Sequence, residues 1–313
     1  MTSNQTNPGQ RAMSAGDWGL LLLLGAIWGG SFFFARIAVS EIPPLTLVLF
    51  RVAIAGAALH LFLLVRGPSF ATALPHWRNF VALGVLNNAI PFSLIFAGQT
   101  ALGAGVASVL NATTPFWTII LANAVTTDEK LSWNKVAGVL FGIAGTAVMI
   151  GPGLVAGLGG PVWAKLALIA ASVSYALALI LAKRFKGVPP VIVATGQLTV
   201  STVVMIPIAL AVSGLAGFVG TSGHVWAAVL ALALLSTAFA YLLYFTIIAR
   251  AGATNASLVT LIVPVSAILL GAIFLGERLE LFEFAGIVLI AAGLITIDGR
   301  MLFRLRSRNA VAG

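Results

Sequence analysis

The amino-acid sequence predicts an all-α integral membrane protein with ten transmembrane helices, arranged as two inverted five-helix repeats with both termini in the cytoplasm. The prediction rests on composition, on the spacing of apolar runs and on an internal repeat. Of the 313 residues, 60% are hydrophobic and only 8% are charged, whereas a soluble domain carries about 25% charged residues. So few charges cannot cover the surface of a water-soluble protein of this size, so a lipid-embedded fold is expected.

Apolar runs of membrane-spanning length account for most of the chain. A spanning helix needs about 20 predominantly apolar residues, and short connections with turn residues, such as the proline pairs at 43–44 and 189–190, separate the runs. The polar N-terminal segment lacks the order of a cleaved signal peptide, so the first run is predicted to be retained. The predicted spans are 18–37, 45–65, 77–97, 101–125, 133–150, 162–182, 191–212, 225–249, 253–275 and 281–298.

Basic residues are distributed unevenly between the predicted loops. With the N-terminus inside, thirteen of the seventeen Lys and Arg residues fall in inside loops and tails, three (Arg36, Lys165 and Arg278) fall outside, and Arg51 lies within a helix. The positive-inside rule describes this asymmetry, which places both termini in the cytoplasm. Orientation in the membrane therefore explains the net charge of +9, and no nucleic-acid partner is expected.

An internal repeat relates the two halves of the chain. Trp77 and Trp226 are 149 positions apart, and the Glu-Lys-Leu run at 129–131 matches the Glu-Arg-Leu run at 277–279. Because each half holds an odd number of predicted spans, the second half enters the membrane from the opposite side. Such inverted repeats are typical of secondary transporters with a site near the membrane midplane. The predicted segments are a cytoplasmic tail 1–16, the repeats 17–152 and 153–299, and a basic cytoplasmic tail 300–313.

Absent residue types argue against catalysis. The chain has no cysteine, so it forms neither disulfides nor thiolate metal sites. A membrane-embedded enzyme would need facing acids, a histidine–acid arrangement or a metal set, and the three histidines lie far apart in sequence. We therefore expect no enzyme activity, no metal and no cofactor.

The positions of the acids bear on ion coupling. All eight lie in loops or at helix ends, whereas carriers of protons or organic cations often use a buried acid. The sequence thus disfavours a multidrug-cation antiporter and favours a facilitator, although His60 could titrate. A passive channel is a weaker alternative, because no ring of charges lines the predicted helices.

Several motifs resemble those of a known family. The Trp-Gly-Gly-Ser run at 28–31, the proline pair ahead of Arg51, and the Glu-containing turns at 129–131 and 276–279 are similar to the drug/metabolite transporter superfamily, EamA family, over residues 18–298. Within that family the chain most resembles the YddG-type bacterial exporters of amino acids, including aromatic ones. The resemblance implies a multi-pass inner-membrane carrier, with helices one to four and six to nine around a central cavity and helices five and ten packed behind them.

Polar and aromatic side chains inside the predicted helices are candidates for the cavity lining. Polar groups in hydrocarbon are costly unless they face protein or a water-filled cavity, and the polar stripes of helices three and four recur in helices eight and nine. Hydrogen bonds that hold helices together are the alternative explanation. The predicted lining comprises Trp28, Arg51, Asn87, Asn88, Asn111, Trp117, Tyr175, Gln197, Thr237 and Tyr241.

Arg51 is the only basic residue deep in a predicted span. One interpretation is that it holds a substrate carboxylate together with Gln197, its counterpart in the repeat. The others are a side chain that extends to the outer interface and a structural ion pair with Glu41.

Prolines and glycines inside predicted helices indicate kinks and close helix packing. Pro115 and Pro264 each remove a backbone hydrogen bond in mid-helix, which predicts kinks that are either static or able to bend during transport. Gly138 and Gly142 have the small-xxx-small spacing of close helix packing. We interpret that packing as internal to a monomer, with a homodimer as the alternative.

The sequence as a whole predicts a secondary transporter that exports small metabolites across the inner membrane by alternating access. Amino acids, including aromatic and hydrophobic ones, are the leading substrate class, and other metabolites or drugs are the alternative. The direction of transport follows from the family resemblance alone. The expected partners are a small-molecule substrate and the lipid bilayer.

Overall fold

The computed structural model describes residues 13–125, 133–156 and 159–298, and these residues form helices and no strands. Each apolar run predicted from the sequence forms a helix. The predicted tails, except for residues 13–16, and the Glu-containing turn at 129–131 lie outside the described residues. The helices are α1 Ala15–Ala38, α2 Pro44–Arg66, α3 Trp77–Gln99, α4 Ala104–Asn111 with Thr114–Val125, α5 Trp133–Ala156, α6 Val162–Ala182, α7 Pro190–Ser213, α8 Gly223–Ala251, α9 Ala253–Ala256 with Val259–Leu275, and α10 Leu281–Asp298.

The helices have the length and composition of a membrane protein. In the described part of the chain, α1 to α8 are long and apolar enough to cross a membrane, while α9 and α10 provide two shorter apolar helices. Helical structure satisfies the backbone polar groups within each segment, as a hydrocarbon environment requires. Local signals set several ends: Ser14 and Asp17 form a capping box at the start of α1, and Gly276 ends α9 in the left-handed conformation.

The two halves of the chain interleave. Helix α1 of the first half packs along α9 of the second half, and α4 of the first half contacts both α6 and α9 of the second. Two pairs join equivalent helices of the two halves, namely α2 with α7 and α5 with α10. Exchanging the halves maps the α1–α9 pair onto the α6–α4 pair, so the packing follows the repeat that the sequence contains.

Side-chain contacts define two ends of the bundle, the near end where α1 begins and the far end where α1 ends. At the near end the Arg250 Nε donates to Asp17 across 2.9 Å. At the far end the Glu41 carboxylate accepts from the backbone N–H and hydroxyl of Ser222 at 2.7 and 2.8 Å. These two hydrogen bonds hold the pKa of Glu41 below its usual value, because they favour the charged carboxylate.

Glu277 makes a second contact between the halves at the far end. Its two oxygens accept from the backbone N–H groups of Ala104 and Gly105, at 2.8 and 3.2 Å, and so cap the N-terminus of α4. A Cβ at Gly103 or Gly271 would lie within 3 Å of this carboxylate. The glycines therefore allow the α9–α10 turn to reach the first half of the chain.

Four helices are interrupted along their length. A π-helical segment occupies Val85–Ala89 in α3, and another occupies Ala231–Phe239 in α8. The first piece of α4 ends at Asn111, and Pro115 lies in the first turn of the second piece, so the feature predicted as a kink at Pro115 is a break. Pro264 lies inside the continuous piece Val259–Leu275, and the break in α9 comes earlier in the chain.

Glycines let α5 and α10 approach closely. A Cβ at Gly145 would lie 2.8 Å from the backbone oxygen of Gly286, and one at Gly293 would lie 2.7 Å from that of Gly138. Gly142 faces the Phe116 ring. The small residues predicted to mediate helix packing therefore pack within one chain.

We expect Gly145→Ala to lower the melting temperature of the purified protein by several degrees. The added methyl group meets backbone on α10 that cannot move aside, and overpacking of this kind costs about 1–3 kcal/mol. Gly19→Ala in α1 is the matched control, since nothing lies within 4 Å of its Cβ position and alanine favours a helix. An unchanged melting temperature for Gly145→Ala would show that the two helices do not pack as described.

Candidate functional site

Polar and aromatic side chains of five helices gather around Arg51. Its guanidinium carbon lies 3.8 Å from the centroid of the Phe92 ring, and its Nε donates to the Thr237 hydroxyl across 2.9 Å. Tyr175 and Tyr241 lie near the same guanidinium. The group named here the Arg51 cluster consists of Arg51, Asn87, Phe92, Tyr175, Gln197, Thr237 and Tyr241.

A hydrogen-bonded amide pair completes the cluster. Asn87 Nδ2 donates to Gln197 Oε1 across 2.9 Å, and the Tyr241 hydroxyl lies near both side chains. Tyr241 and Thr237 are four residues apart and therefore lie on one face of α8. That face connects the amide pair to Arg51.

The cluster lies midway between the two ends of the bundle. Arg51 is seven residues from the start of α2 at the far end, and Gln197 is seven residues from the start of α7 at the near end. Seven residues correspond to about 10 Å of helix. The two residues are counterparts in the repeat, so each half of the chain contributes an equivalent position to the site.

Three side chains of the cluster are only partly buried. Tyr175 and Tyr241 pack against the main hydrophobic core, yet both retain accessible surface, as does Asn87. The cluster therefore has polar and aromatic side chains on α3, α6 and α8 that are not fully buried.

The Arg51 guanidinium is buried, and no carboxylate of the described residues pairs with it. Only 8% of the residue is exposed, so its side chain does not extend to the outer interface. Glu41 bonds to Ser222 instead, which rules out the ion pair suggested from the sequence. Among the described residues the guanidinium makes one hydrogen bond, from Nε to Thr237, and its two terminal NH₂ groups have no protein acceptor.

The π-helical segments explain how these side chains reach the site. In α8 the Thr237 hydroxyl donates to the Leu232 carbonyl, five residues back, at 2.8 Å, while its oxygen accepts from Arg51. In α3, Pro91 has no N–H to offer to the residue four positions earlier, and the Ile90 N–H bonds Val85 five positions back. Segments of this type occur frequently at functional sites.

Asn88 differs from the sequence prediction. It is fully buried and contributes no surface to a cavity, and its Nδ2 donates to Ser201 Oγ across 3.0 Å. The same hydroxyl contacts the Gly84 and Gln197 carbonyls, so Asn88 joins α3 to α7. Consecutive residues of a helix point in different directions, and only Asn87 of the pair faces the cluster.

The remaining predicted lining residues have other partners. Trp28 packs on Tyr244 with ring centroids 5.2 Å apart. Trp117 donates from Nε1 to Thr113 at 3.2 Å, beside the break in α4. Asn111 ends the first piece of α4, and its buried Oδ1 has no hydrogen-bond partner. In the described part of the chain, no hydrogen bond or ring contact joins Trp28, Trp117 or Asn111 to Arg51.

Two features of the site were not predicted. Phe92 supports the guanidinium face, and Phe96 lies behind it with its ring centroid 5.8 Å from the guanidinium carbon. No sequence pattern distinguishes these two residues from the rest of the 19 phenylalanines. A cleft of about 970 Å³ also opens at the far end, where Arg36, His224, Glu277, Arg278 and Glu280 contribute to its lining.

Comparison with known proteins identifies the family. The model of the EamA-like transporter family matches residues 17–151 and again residues 162–297. The uncharacterized inner membrane transporter YedA of Escherichia coli K12 is 30% identical over 91% of this chain and 92% of its own length. The probable amino-acid metabolite efflux pump of the same strain is 28% identical over 96% of this chain and 99% of its own length.

Further relatives and a solved structure agree with this assignment. The uncharacterized transporter YoaV of Bacillus subtilis is 23% identical over 86% of this chain and 91% of its own length. A crystal structure superposes with a TM-score of 0.64 at 22% identity, covering 93% of this chain and 99% of the other, which shows a shared fold. The closer resemblance to YddG-type exporters stays a prediction. The chain belongs to the EamA-like transporter family and is a multi-pass transporter of the bacterial inner membrane rather than an enzyme.

Proposed function

We propose that this protein is a secondary carrier that exports small metabolites by alternating access around the Arg51 cluster, with amino acids, including aromatic and hydrophobic ones, as the leading class. The observation that carries the proposal is the cluster itself. It is a polar, accessible site inside an apolar bundle, and its members come from α2 and α3 of the first half and from α6, α7 and α8 of the second. A site between two repeats suits a mechanism in which one repeat moves against the other.

The proposed topology has ten spans, with repeats at 17–152 and 153–299 and both termini in the cytoplasm. The 17 residues of the longer α9 piece extend over about 26 Å at 1.5 Å per residue, close to the roughly 30 Å of a hydrocarbon core. Among the described residues, the Lys and Arg side chains of the far end are Arg36, Lys165 and Arg278, while the near end includes the group Lys183, Arg184 and Lys186. The positive-inside rule therefore assigns the near end to the cytoplasm.

Contacts between the halves at both ends supply elements that alternating access would rearrange. The Asp17–Arg250 pair joins the halves at the near end. Glu41 with Ser222, and Glu277 with Ala104, join them at the far end. All three are polar and lie near the surface, so water can replace them when one end opens.

The chemistry of the cluster supports a small, zwitterionic substrate with an apolar side chain. A guanidinium, two amides and two phenol groups supply hydrogen bonds, and Phe92 adds an apolar ring. A ligand site of this kind is mostly apolar with a few well-placed polar groups. One relative is a probable amino-acid metabolite efflux pump, which agrees with this substrate class.

Counterflow in proteoliposomes tests the proposal. Vesicles that contain the purified protein are loaded with unlabelled phenylalanine and diluted into labelled phenylalanine, with and without a pH gradient. We expect transient accumulation of label that other aromatic or branched amino acids suppress and that the pH gradient does not change, because the cluster holds no acid to carry a proton.

The absence of accumulation in a folded preparation would contradict the amino-acid assignment. Equilibration of label without a transient overshoot would contradict a carrier, because a channel does not exchange substrate. Protein-free vesicles are the blank, and Gly19→Ala is the substituted control because it touches no part of the cluster.

Substitutions at Tyr241 and Asn88 separate the cavity wall from the helix interface. We expect Tyr241→Phe to raise the half-saturating concentration in counterflow about fivefold, the equivalent of one hydrogen bond of about 1 kcal/mol, at an unchanged melting temperature. Asn88→Ala should do the reverse, lowering the melting temperature without changing the half-saturating concentration, since Asn88 contacts Ser201 between two helices. An increased half-saturating concentration for Asn88→Ala alone would place the substrate elsewhere.

A further inference from the structure

We propose that the Arg51 cluster recognises the carboxylate of its ligand and has no requirement for an amino group, so that the substrate class extends to organic monocarboxylates with an aromatic or branched apolar body. This inference rests on the proposed function of the same site and specifies which charged group of a zwitterion the site binds. It follows from the donors that Arg51 leaves free, from the location of every described carboxylate, and from the rings beside the guanidinium.

The geometry of Arg51 leaves the two terminal NH₂ groups of its guanidinium available to a ligand. Nε is occupied by the Thr237 hydroxyl at 2.9 Å, and the Phe92 ring lies 3.8 Å away under the guanidinium. A guanidinium has five N–H donors in a fixed plane. With Nε engaged and the plane supported by a ring, the two terminal nitrogens remain available, and two parallel N–H groups match the two oxygens of a carboxylate.

The free N–H donors of Arg51 are buried, and burial strengthens their attraction for an anion. Arg51 is 8% exposed, and a buried charge is costly unless it is paired. The described residues offer it no carboxylate, and the hydroxyl, ring and phenol groups around it are uncharged. A ligand carboxylate would complete the ion pair that the protein lacks.

Among the described residues, the cluster has no carboxylate to match an ammonium group. Glu41 bonds Ser222, and Glu277 caps α4. Asp17 bonds Arg250 at the near end. Of the other described carboxylates, those of Glu280 and Glu283 lie at the start of α10, and Asp298 ends that helix. Within the described ranges the cluster therefore presents only neutral oxygens to a ligand, one of which, Gln197 Oε1, already accepts from Asn87. An ammonium would gain no opposite charge there and would be repelled by the guanidinium.

Rings beside the guanidinium favour an apolar ligand body. Phe92 stacks on Phe96 with ring centroids 6.1 Å apart, and Tyr241 stacks on Phe245 at the same distance. These pairs lie on α3 and α8, the two helices with π-helical segments. Apolar surface on both sides of the Arg51 donors suits a carboxylate attached to a ring or a branched chain.

A ligand series with the full-length protein in detergent tests the inference, with calorimetry as a readout that does not depend on transport. The probes are phenylalanine, 3-phenylpropionate (no amine), phenethylamine (no carboxylate) and phenylalaninamide (no negative charge). We expect 3-phenylpropionate to bind within tenfold of phenylalanine. Phenethylamine and phenylalaninamide should bind about 10- to 150-fold more weakly, the range for losing hydrogen bonds to a charged group.

Substitutions connect this pattern to Arg51. Arg51→Gln should abolish the difference between 3-phenylpropionate and phenethylamine, and Arg51→Lys, which keeps the charge but not the fork, should reduce it. Arg78→Gln is the matched control, because Arg78 also lies over a ring, that of Trp77, but is exposed at the near end. It should leave the pattern unchanged. The comparison among ligands on the unsubstituted protein stands even where an Arg51 variant does not fold.

Two binding results and one counterflow result would overturn the inference. One binding result is 3-phenylpropionate binding more than tenfold more weakly than phenylalanine, and the other is phenethylamine binding as tightly as 3-phenylpropionate. Counterflow of phenylalanine that 3-phenylpropionate does not inhibit would overturn the inference and leave the amino-acid carrier in place. Selective binding of 3-phenylpropionate without any amino-acid counterflow would overturn the proposed function and support the inference.

Discussion

A guanidinium held inside a bundle of apolar helices needs compensation, because the interior offers little of the solvation that water provides. Arg51 obtains it from the face of Phe92 and from the Thr237 hydroxyl, with Tyr175 and Tyr241 nearby. Other features of the site follow from this arrangement. The π-helical segment of α8 presents Thr237 to Nε, and that of α3 turns Asn87 toward Gln197.

The repeat gives this arrangement its place in the molecule. Arg51 and Gln197 occupy equivalent positions in α2 and α7, two helices that pack along each other, so one residue approaches the middle from each end. Glycines of α5 and α10 bring a second equivalent pair together. The site thus lies between the halves, and the polar contacts at the two ends are the ones that motion of the halves would change.

Hydropathy and spacing predicted the helices well, because a membrane-spanning run is a property of about 20 adjacent residues and can be recognised from the sequence alone. The polar residues were predicted less completely. Asn87 bonds Gln197, whereas Asn88 faces a neighbouring helix, because consecutive residues of a helix point in different directions. The contribution of Phe92 and the replacement of the suggested Arg51–Glu41 pair depend on tertiary contacts that no local pattern encodes.

Ligand protection of a single thiol tests most directly whether the Arg51 cluster is the substrate site. The chain has no cysteine, so Asn87→Cys would introduce its only thiol beside Gln197, and Ser40→Cys would place a control thiol at the exposed far end. With the purified protein and a water-soluble thiol reagent, we expect phenylalanine to slow labelling of the Asn87→Cys variant and to leave the Ser40→Cys variant unaffected. Equal labelling of the Asn87→Cys variant with and without phenylalanine, in protein that still catalyses phenylalanine counterflow, would contradict the account.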